Sequence, residues 1–175
     1  MKSVLPASSN SDTQAALQLF EQYAASLAID LCLQDFEREL ASLPGDYSPP
    51  RGALFLARAD GCAIGCIGLR PFSASVGEIK RLYVVLAFRR RGFARSLVSA
   101  AIVAARRIGY SALGLDTLAS MQPAITLYES LGFERTDAYN ANPLPDVLYF
   151  RASLEPNRNA LSARPKARPP SSHAT

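Results

Sequence analysis

Residues 89–97, Arg89-Arg90-Arg91-Gly92-Phe93-Ala94-Arg95-Ser96-Leu97, bring together residue types that can hold an anion. A β-branched strand pattern ends just before them and an apolar-periodic helix begins inside them. Gly92 tolerates a positive φ and lets the backbone approach a ligand closely, while the helix start behind it offers unpaired N–H groups and the positive end of a dipole. The surrounding guanidiniums add charge-assisted contacts that can be bidentate. Without its neighbours the same run would read equally well as a solvated cluster of charge.

Charge is segregated along the chain. The formal net charge is +4, but the tail after Pro156 carries Arg158, Arg164, Lys166 and Arg168 without an acid, so the remainder balances to neutral. Residues 1–50 hold seven acids and two bases, and residues 70–107 hold nine bases and one acid, Glu78. An anionic ligand belongs at the second region. Three cysteines, Cys32, Cys62 and Cys66, have no metal-ligand spacing, and the one histidine, His173, lies in the tail. No metal site is expected, and Cys–His or Ser–His catalysis is disfavoured. Cys62 and Cys66 share parity on an expected strand, which predicts two small packed side chains. With no apolar stretch resembling a signal or a membrane span, the expectation is a soluble, cytoplasmic protein without membrane partners.

The elements that must position these residues follow from periodicity. A helical stripe runs through Ala15, Ala16, Leu19, Phe20, Tyr23 and Leu27, with Ser11 or Asp12 as cap, and a second runs from Leu33 to Leu43 and stops at Pro44-Gly45. Ala53–Ala59 and Cys62–Arg70 read as a hairpin across Asp60-Gly61. Glu78–Val85 reads as a strand whose alternation breaks at Lys80-Arg81, which predicts a bulge. Phe93–Ile108 is the best-defined helix, closed by Gly109. Leu113–Thr117 follows as a strand, residues 121–131 as a helix ended by Gly132, and Phe133 with Val147–Leu154 as closing strands. Residues 1–155 form one α/β domain in this reading, and 156–175 a disordered basic, Pro-rich tail. The tail's four charges lack interleaved aromatics, so nucleic acid is disfavoured as a partner.

This order of elements resembles the GNAT (Gcn5-related N-acetyltransferase) superfamily, and two motifs carry the likeness. Arg89-Arg90-Arg91-Gly92-Phe93-Ala94 is similar to that family's Arg/Gln-x-x-Gly-x-Gly/Ala turn, and Ala124-x-x-Leu127-Tyr128-x-x-x-Gly132-Phe133 to its second hallmark. Within the superfamily the chain resembles bacterial members with Glu-Ile/Met-Lys-Arg-Leu-Tyr-Val, Leu-Asp-Thr-Leu-x-Ser-Met and Tyr-x-x-Asn-Pro, here Glu78–Val84, Leu115–Met121 and Tyr139–Pro143. The resemblance implies a mixed, mostly antiparallel central sheet flanked by helices, acetyl-CoA as co-substrate, and transfer of acetyl to a primary amine. It further implies that backbone N–H groups of Arg91, Gly92, Ala94 and Arg95 meet the pyrophosphate, with the side chains of Arg89 and Arg90 and the neighbouring Phe93 completing the turn. By the same resemblance Leu82, Tyr83 and Val84 pair with pantetheine, the Val84 N–H serves as oxyanion donor, and Met121 stands beside the pantetheine. Domains of this kind often pair as homodimers. Leu86 and Met121 depart from the Pro and Asn that many members carry.

Several residues have two readings at this level. Glu78 is the general base by resemblance, or a structural carboxylate neutralised by Lys80 or Arg81. Tyr128 is a core aromatic by spacing, and by resemblance the proton donor to the CoA thiolate. Tyr139 and Asn142 line an acceptor pocket or only close the last hairpin. Asp116 and Thr117 contact the acceptor or cap the next helix, capping being preferred. Arg51 and Arg70 are candidate holders of an acceptor carboxylate. A rival to the enzyme is an acetyl-CoA-binding sensor without turnover. The amine's identity lies beyond the sequence.

Overall fold

The structure is a computed structural model and describes residues 2–27 and 35–155. The expectation for the tail, the start of the second helix and Cys32 lie outside the described residues. In chain order the elements are β1 (Lys2–Pro6), α1 (Asn10–Leu27), α2 (Phe36–Ser42), β2 (Ala53–Ala59), β3 (Cys62–Pro71), β4 (Val76–Val84), α3 (Phe93–Ile108), β5 (Ala112–Leu118), α4 (Gln122–Ser130), β6 (Glu134–Thr136) and β7 (Val147–Ser153). They form one seven-stranded sheet in the order β1-β2-β3-β4-β5-β7-β6. Among the described residues only β4 and β5 run parallel. The mixed, mostly antiparallel α/β architecture expected above is therefore present.

Local chemistry accounts for the element ends. Helix α1 is closed by a reciprocal capping box: the Asp12 N–H donates to Ser9 Oγ (3.1 Å) and Asp12 Oδ2 accepts from the Ser8 and Ser9 N–H groups (3.0 and 3.1 Å). Ser9 is thus the cap, with Asp12 three residues inside, which corrects the expected cap at Ser11 or Asp12. Asp60 and Gly61, at φ 47° and 84°, make the left-handed pair that the β2–β3 hairpin needs. Gly109, at φ 98°, ends α3.

Two faces of the sheet carry two apolar cores. Leu97, Val98, Ala101, Ile125, Tyr128, Phe133 and Phe150 cluster under α3 and α4. Ala16, Leu19, Phe20, Phe36, Tyr47 and Leu56 cluster under α1 and α2. Two bulges decide which side chains reach which face. On β4, Arg81 and Leu82 stand opposite Ile67 alone, and Arg81 adopts φ 58°. Lys80 and Arg81 consequently both turn toward the α1–α2 face, the irregularity anticipated from their sequence. On β3 an extra residue, Ile64, stands between Ala63 and Gly65 while β2 advances one step from Arg58 to Ala57. That bulge reverses parity, so Cys66 is buried and Cys62 is exposed, correcting the expectation that both pack inside. Strand β1 was not anticipated; it pairs along β2, with Lys2 opposite Ala59.

Candidate active site

The parallel pairing of β4 with β5 lasts three residues, Val76–Glu78 against Ala112–Gly114, and then stops. Strand β5 continues beside β7 as far as Leu118, and β4 beside β3 as far as Val84, so the two strands diverge into a cleft at the centre of the sheet. Ile79, Lys80, Leu82, Asp116, Met121 and Tyr128 are among its lining residues. A diverging parallel pair leaves backbone N–H and C=O groups on both inner edges without strand partners, which an extended, amide-bearing ligand can satisfy.

Register fixes one of those donors. Val85 N–H donates to Ile64 C=O (2.9 Å), and Val84 is the residue paired with Gly65. Antiparallel alternation then turns the Val84 N–H and C=O away from β3, toward the cleft side. The Val84 C=O accepts from Arg89 Nε (2.9 Å), which ties the strand end to the basic turn. Beyond it Leu86–Phe88 form a 3₁₀ turn, with Leu86 exposed.

The basic turn has the shape its sequence predicts. Arg90 and Gly92 are left-handed (φ 59° and 80°), and the first α3 ladder bond runs from Ser96 N–H to Gly92 C=O (3.1 Å). The N–H groups of Phe93, Ala94 and Arg95 precede that ladder and stand at the positive end of a 16-residue helix. Phe93 is buried as an anchor against Phe88 (centroids 6.4 Å apart), while Arg95 reaches across to Ser130 Oγ (2.8 Å). Arg89 and Arg91 lie over the rings of Tyr83 and Phe88 (5.8 and 5.3 Å).

On the α1–α2 side of the cleft the charges form paired networks. Glu78, 1% exposed, accepts from Arg70 Nε (2.9 Å), Tyr139 Oη (3.2 Å) and Asn140 Nδ2 (3.3 Å), with Lys80 Nζ at 3.4 Å. Its neutralising partners are Arg70 and Lys80; Arg81 instead pairs with Glu39 on α2 (2.6 Å). Lys80 Nζ also reaches Asp116 Oδ1 (2.7 Å), and Asn142 Nδ2 donates to Asp116 Oδ2 (2.9 Å). Burial works against ionisation of Asp116, yet the Lys80 ammonium and the donors from Asn142 and Asn140 outweigh it and hold its carboxyl below the ordinary range. Asp116 therefore does not cap α4, whose start has no side-chain cap, and Thr117 turns its hydroxyl to Met121 Sδ (3.6 Å). The preferred capping reading is corrected.

Tyr128 is buried against Phe133 and Phe150 (5.9 and 6.4 Å) while still lining the cleft. Burial raises its pKa above the ordinary phenol value, so its hydroxyl stays protonated at neutral pH. Cys66 is sealed inside, its thiol donating to the Arg81 C=O (3.4 Å) and its pKa raised by burial, which removes it as a nucleophile. Arg51 donates to the Ser73 and Ala74 carbonyls (2.7 and 3.0 Å), so neither it nor Arg70 is held for an acceptor carboxylate.

The structure thus brings Glu78, Asp116, Tyr139 and Asn142 together on one side of the cleft, with Tyr128 and Met121 at its wall and the basic turn past the end of β4. Sequence reasoning missed Asn140 and Glu39, and gave Arg70 the task of holding an acceptor carboxylate where the structure pairs it with Glu78. Arg70 was accessible through hairpin register, since it stands opposite Glu78; Asn140 and Glu39 carried no signal beyond residue type. Among the described residues no group of three or more His, Cys, Asp or Glu could hold a metal ion. No helix described is long and apolar enough to cross a membrane.

An uncharacterised N-acetyltransferase of Schizosaccharomyces pombe is 38% identical over 138 residues, covering 78% of this chain and 85% of the relative. A GNAT-family acetyltransferase of Staphylococcus aureus superposes with a TM-score of 0.74 at 16% identity, over 89% of this chain and 100% of the other. Another, from Elizabethkingia anophelis and solved with acetyl-CoA bound, superposes with a TM-score of 0.63 at 21% identity, over 87% and 97%. The model of the acetyltransferase (GNAT) family matches residues 14–133, and the chain belongs to that family.

Proposed function

We propose that this protein transfers acetyl from acetyl-CoA to a primary amine by direct attack in a ternary complex. The observation that carries the reading is the divergence of β4 from β5 immediately after Glu78 and Gly114, with the basic turn at one end and a protonated phenol in the wall. An extended pantetheine would find the inner edge of Leu82–Val84, and a diphosphate the N–H groups around Gly92. When bound, acetyl-CoA supplies an activated thioester.

The chain's residues then have distinct tasks. The Val84 N–H stabilises the oxygen that gains charge during attack, a preorganised donation of a few kcal/mol, on the order of 3. Tyr128 Oη gives its proton to the departing sulfur. Phenol and thiol have ordinary pKa values of ~10 and ~8.5, and burial raises that of Tyr128, which keeps its hydroxyl protonated until the thiolate departs. On the other side, the amine must lose a proton before it attacks. Glu78 and Asp116 share Lys80 as partner and form the carboxylate pair that draws this proton from the ammonium and passes it on to water. Asp116 faces the cleft and docks the ammonium; Glu78 stands behind it, saturated with donors, and sets the charge of the pair. Tyr139 and Asn142 line the acceptor side and hold these carboxylates in place.

A coupled assay of CoA-thiol release across amines, polyamines, amino acids and peptides tests this, with the wild type beside Tyr128→Phe. Turnover that the substitution removes supports the transferase and names the acceptor class. Silence across the panel with acetyl-CoA bound in calorimetry would favour a sensor instead.

A further inference from the structure

Strand β1 delivers one side chain to the basic turn. Lys2 Nζ donates to the Arg91 C=O at 2.9 Å and lies 4.7 Å above the centroid of the Phe93 ring. Among the described residues the same ammonium is the one atom within 4 Å of where a β-carbon on Gly92 would stand, at 3.1 Å. Lys2 therefore touches the turn at Arg91 and Phe93 and stands over the position a β-carbon of Gly92 would take, 89 positions from Arg91 in sequence.

The consequence follows from the geometry of one peptide unit. A trans peptide is planar, so the Arg91 C=O and the Gly92 N–H point in opposite directions and turn together. Gly92 permits positive and negative φ about equally, and rotation of the 91–92 unit between two orientations is open to it as to no other residue. In one orientation the turn offers an N–H to an anion; in the other it offers a carbonyl oxygen, which repels one. The bond from Lys2 selects the orientation in which the carbonyl faces β1 and the N–H faces away. Phe93, buried and capped by the same ammonium, keeps the lysine over the turn.

We propose that Lys2 is a positioning residue of the diphosphate turn: it locks the Arg91–Gly92 peptide with its N–H presented to the ligand and adds a positive charge at the turn. This rests on reading the turn as the diphosphate site of acetyl-CoA.

The test is calorimetric titration of the full chain with acetyl-CoA and, in parallel, with S-acetylpantetheine, which lacks the diphosphate. Lys2→Met keeps the aliphatic stem and removes the donor, and Lys2→Arg keeps a cationic donor; Lys2 is exposed, so neither removes core packing. Lys2→Met is expected to weaken acetyl-CoA binding about tenfold, the loss of one charge-assisted contact, with S-acetylpantetheine unaffected and Lys2→Arg recovering most of the loss. In turnover the loss appears in KM for acetyl-CoA. Unchanged acetyl-CoA binding in Lys2→Met, an equal loss for S-acetylpantetheine, or a fall in kcat with KM unmoved would each overturn the assignment. A wild type that binds S-acetylpantetheine as tightly as acetyl-CoA would overturn the diphosphate reading of the turn itself.

Discussion

Between Val84 and Leu97 one continuous run makes the proposed anion-binding surface, chiefly from backbone N–H groups and a helix start. Across the cleft, Glu39, Arg70, Glu78, Lys80, Asp116 and Asn142 come from four elements and a loop and meet only as side chains. A backbone site depends on conformation, so most side-chain changes in it are tolerated except where φ is positive. A site made of buried paired charges depends on every member, because removing one partner leaves the other desolvated and uncompensated. The two sides of this cleft should therefore fail in different ways, the turn in cofactor affinity and the charged face in acceptor handling.

The largest effect is expected where the two sides meet. Tyr128→Phe keeps the ring against Phe133 and Phe150 and removes only the proton donor. Its kcat should fall by about 10²–10³-fold, the range for loss of a positioned general acid. Acetyl-CoA affinity should be unchanged. Since burial raises the phenol pKa, the wild type should show no alkaline loss from Tyr128 ionisation up to about pH 10. A variant retaining full kcat would remove Tyr128 from the chemistry.

The next test separates the two carboxylates. Asp116→Asn should lower kcat/KM for the amine by about 10²-fold, as expected for a general base or amine dock, while acetyl-CoA binding stays within about twofold. Glu78→Gln should do less to the acceptor and more to stability, because it strands Arg70 beside a neutral group and leaves Lys80 with Asp116 alone. The sign of the pH effect is set by the lowered pKa of Asp116. Its contribution to stability is present above the unfolded carboxyl value of ~3.9 and is lost as pH falls through its lower folded value, so acid unfolding of Asp116→Asn should begin from a reduced plateau but show a shallower decline below about pH 4. If Glu78→Gln abolishes turnover while Asp116→Asn spares it, the base is Glu78 and the division of labour proposed for the pair is wrong.

What was legible in the sequence follows the same divide. Helix α3 was placed from its apolar spacing and its Gly109 stop, the β2–β3 turn from Asp60-Gly61, and the β4 bulge from two adjacent cations; all are local signals. Strand β1 was not, because five residues of mixed polarity acquire strand character only by pairing with β2 some fifty positions later. The paired parity of Cys62 and Cys66 failed because one bulge residue, Ile64, inverts every side chain beyond it. Asp116 was preferred as a cap because a short polar residue before a helix is one in most settings; Lys80, reached across the divergence of two strands, claims it instead. The motif residues could be listed from the chain, but their partners are tertiary facts.

On the turn side, Gly92→Ala is the sharpest probe of a conformational site. Alanine at φ 80° is strained by roughly 1–2 kcal/mol, and its β-carbon would press on Lys2 Nζ at 3.1 Å. The turn can relieve both by rotating the peptide that presents the N–H. Acetyl-CoA binding should weaken by about tenfold, the equivalent of ~1.4 kcal/mol, with KM for the amine unchanged. The contrast with Asp116→Asn, which should move the amine and spare the cofactor, is the content of the comparison. Equal effects on both ligands in either variant would mean that the two sides are not separable.

The smallest effect lies outside the cleft and calibrates the rest. Ser9→Ala removes the hydroxyl that accepts from the Asp12 N–H and donates to the Asp12 carboxylate, dismantling one half of the α1 capping box. Loss of such a cap costs about 1 kcal/mol of stability. For a chain of this size that is a fall in Tm of roughly 2–4 °C. Helix α1 covers the charged side of the cleft through Tyr23, which lines it and packs against Tyr83 (6.3 Å). A loosened α1 should therefore leave acetyl-CoA affinity untouched and raise KM for the amine slightly, by less than about twofold, since only the start of the helix frays. A matching rise in KM for acetyl-CoA would show that α1 supports both sides, and the division drawn between them would have to move.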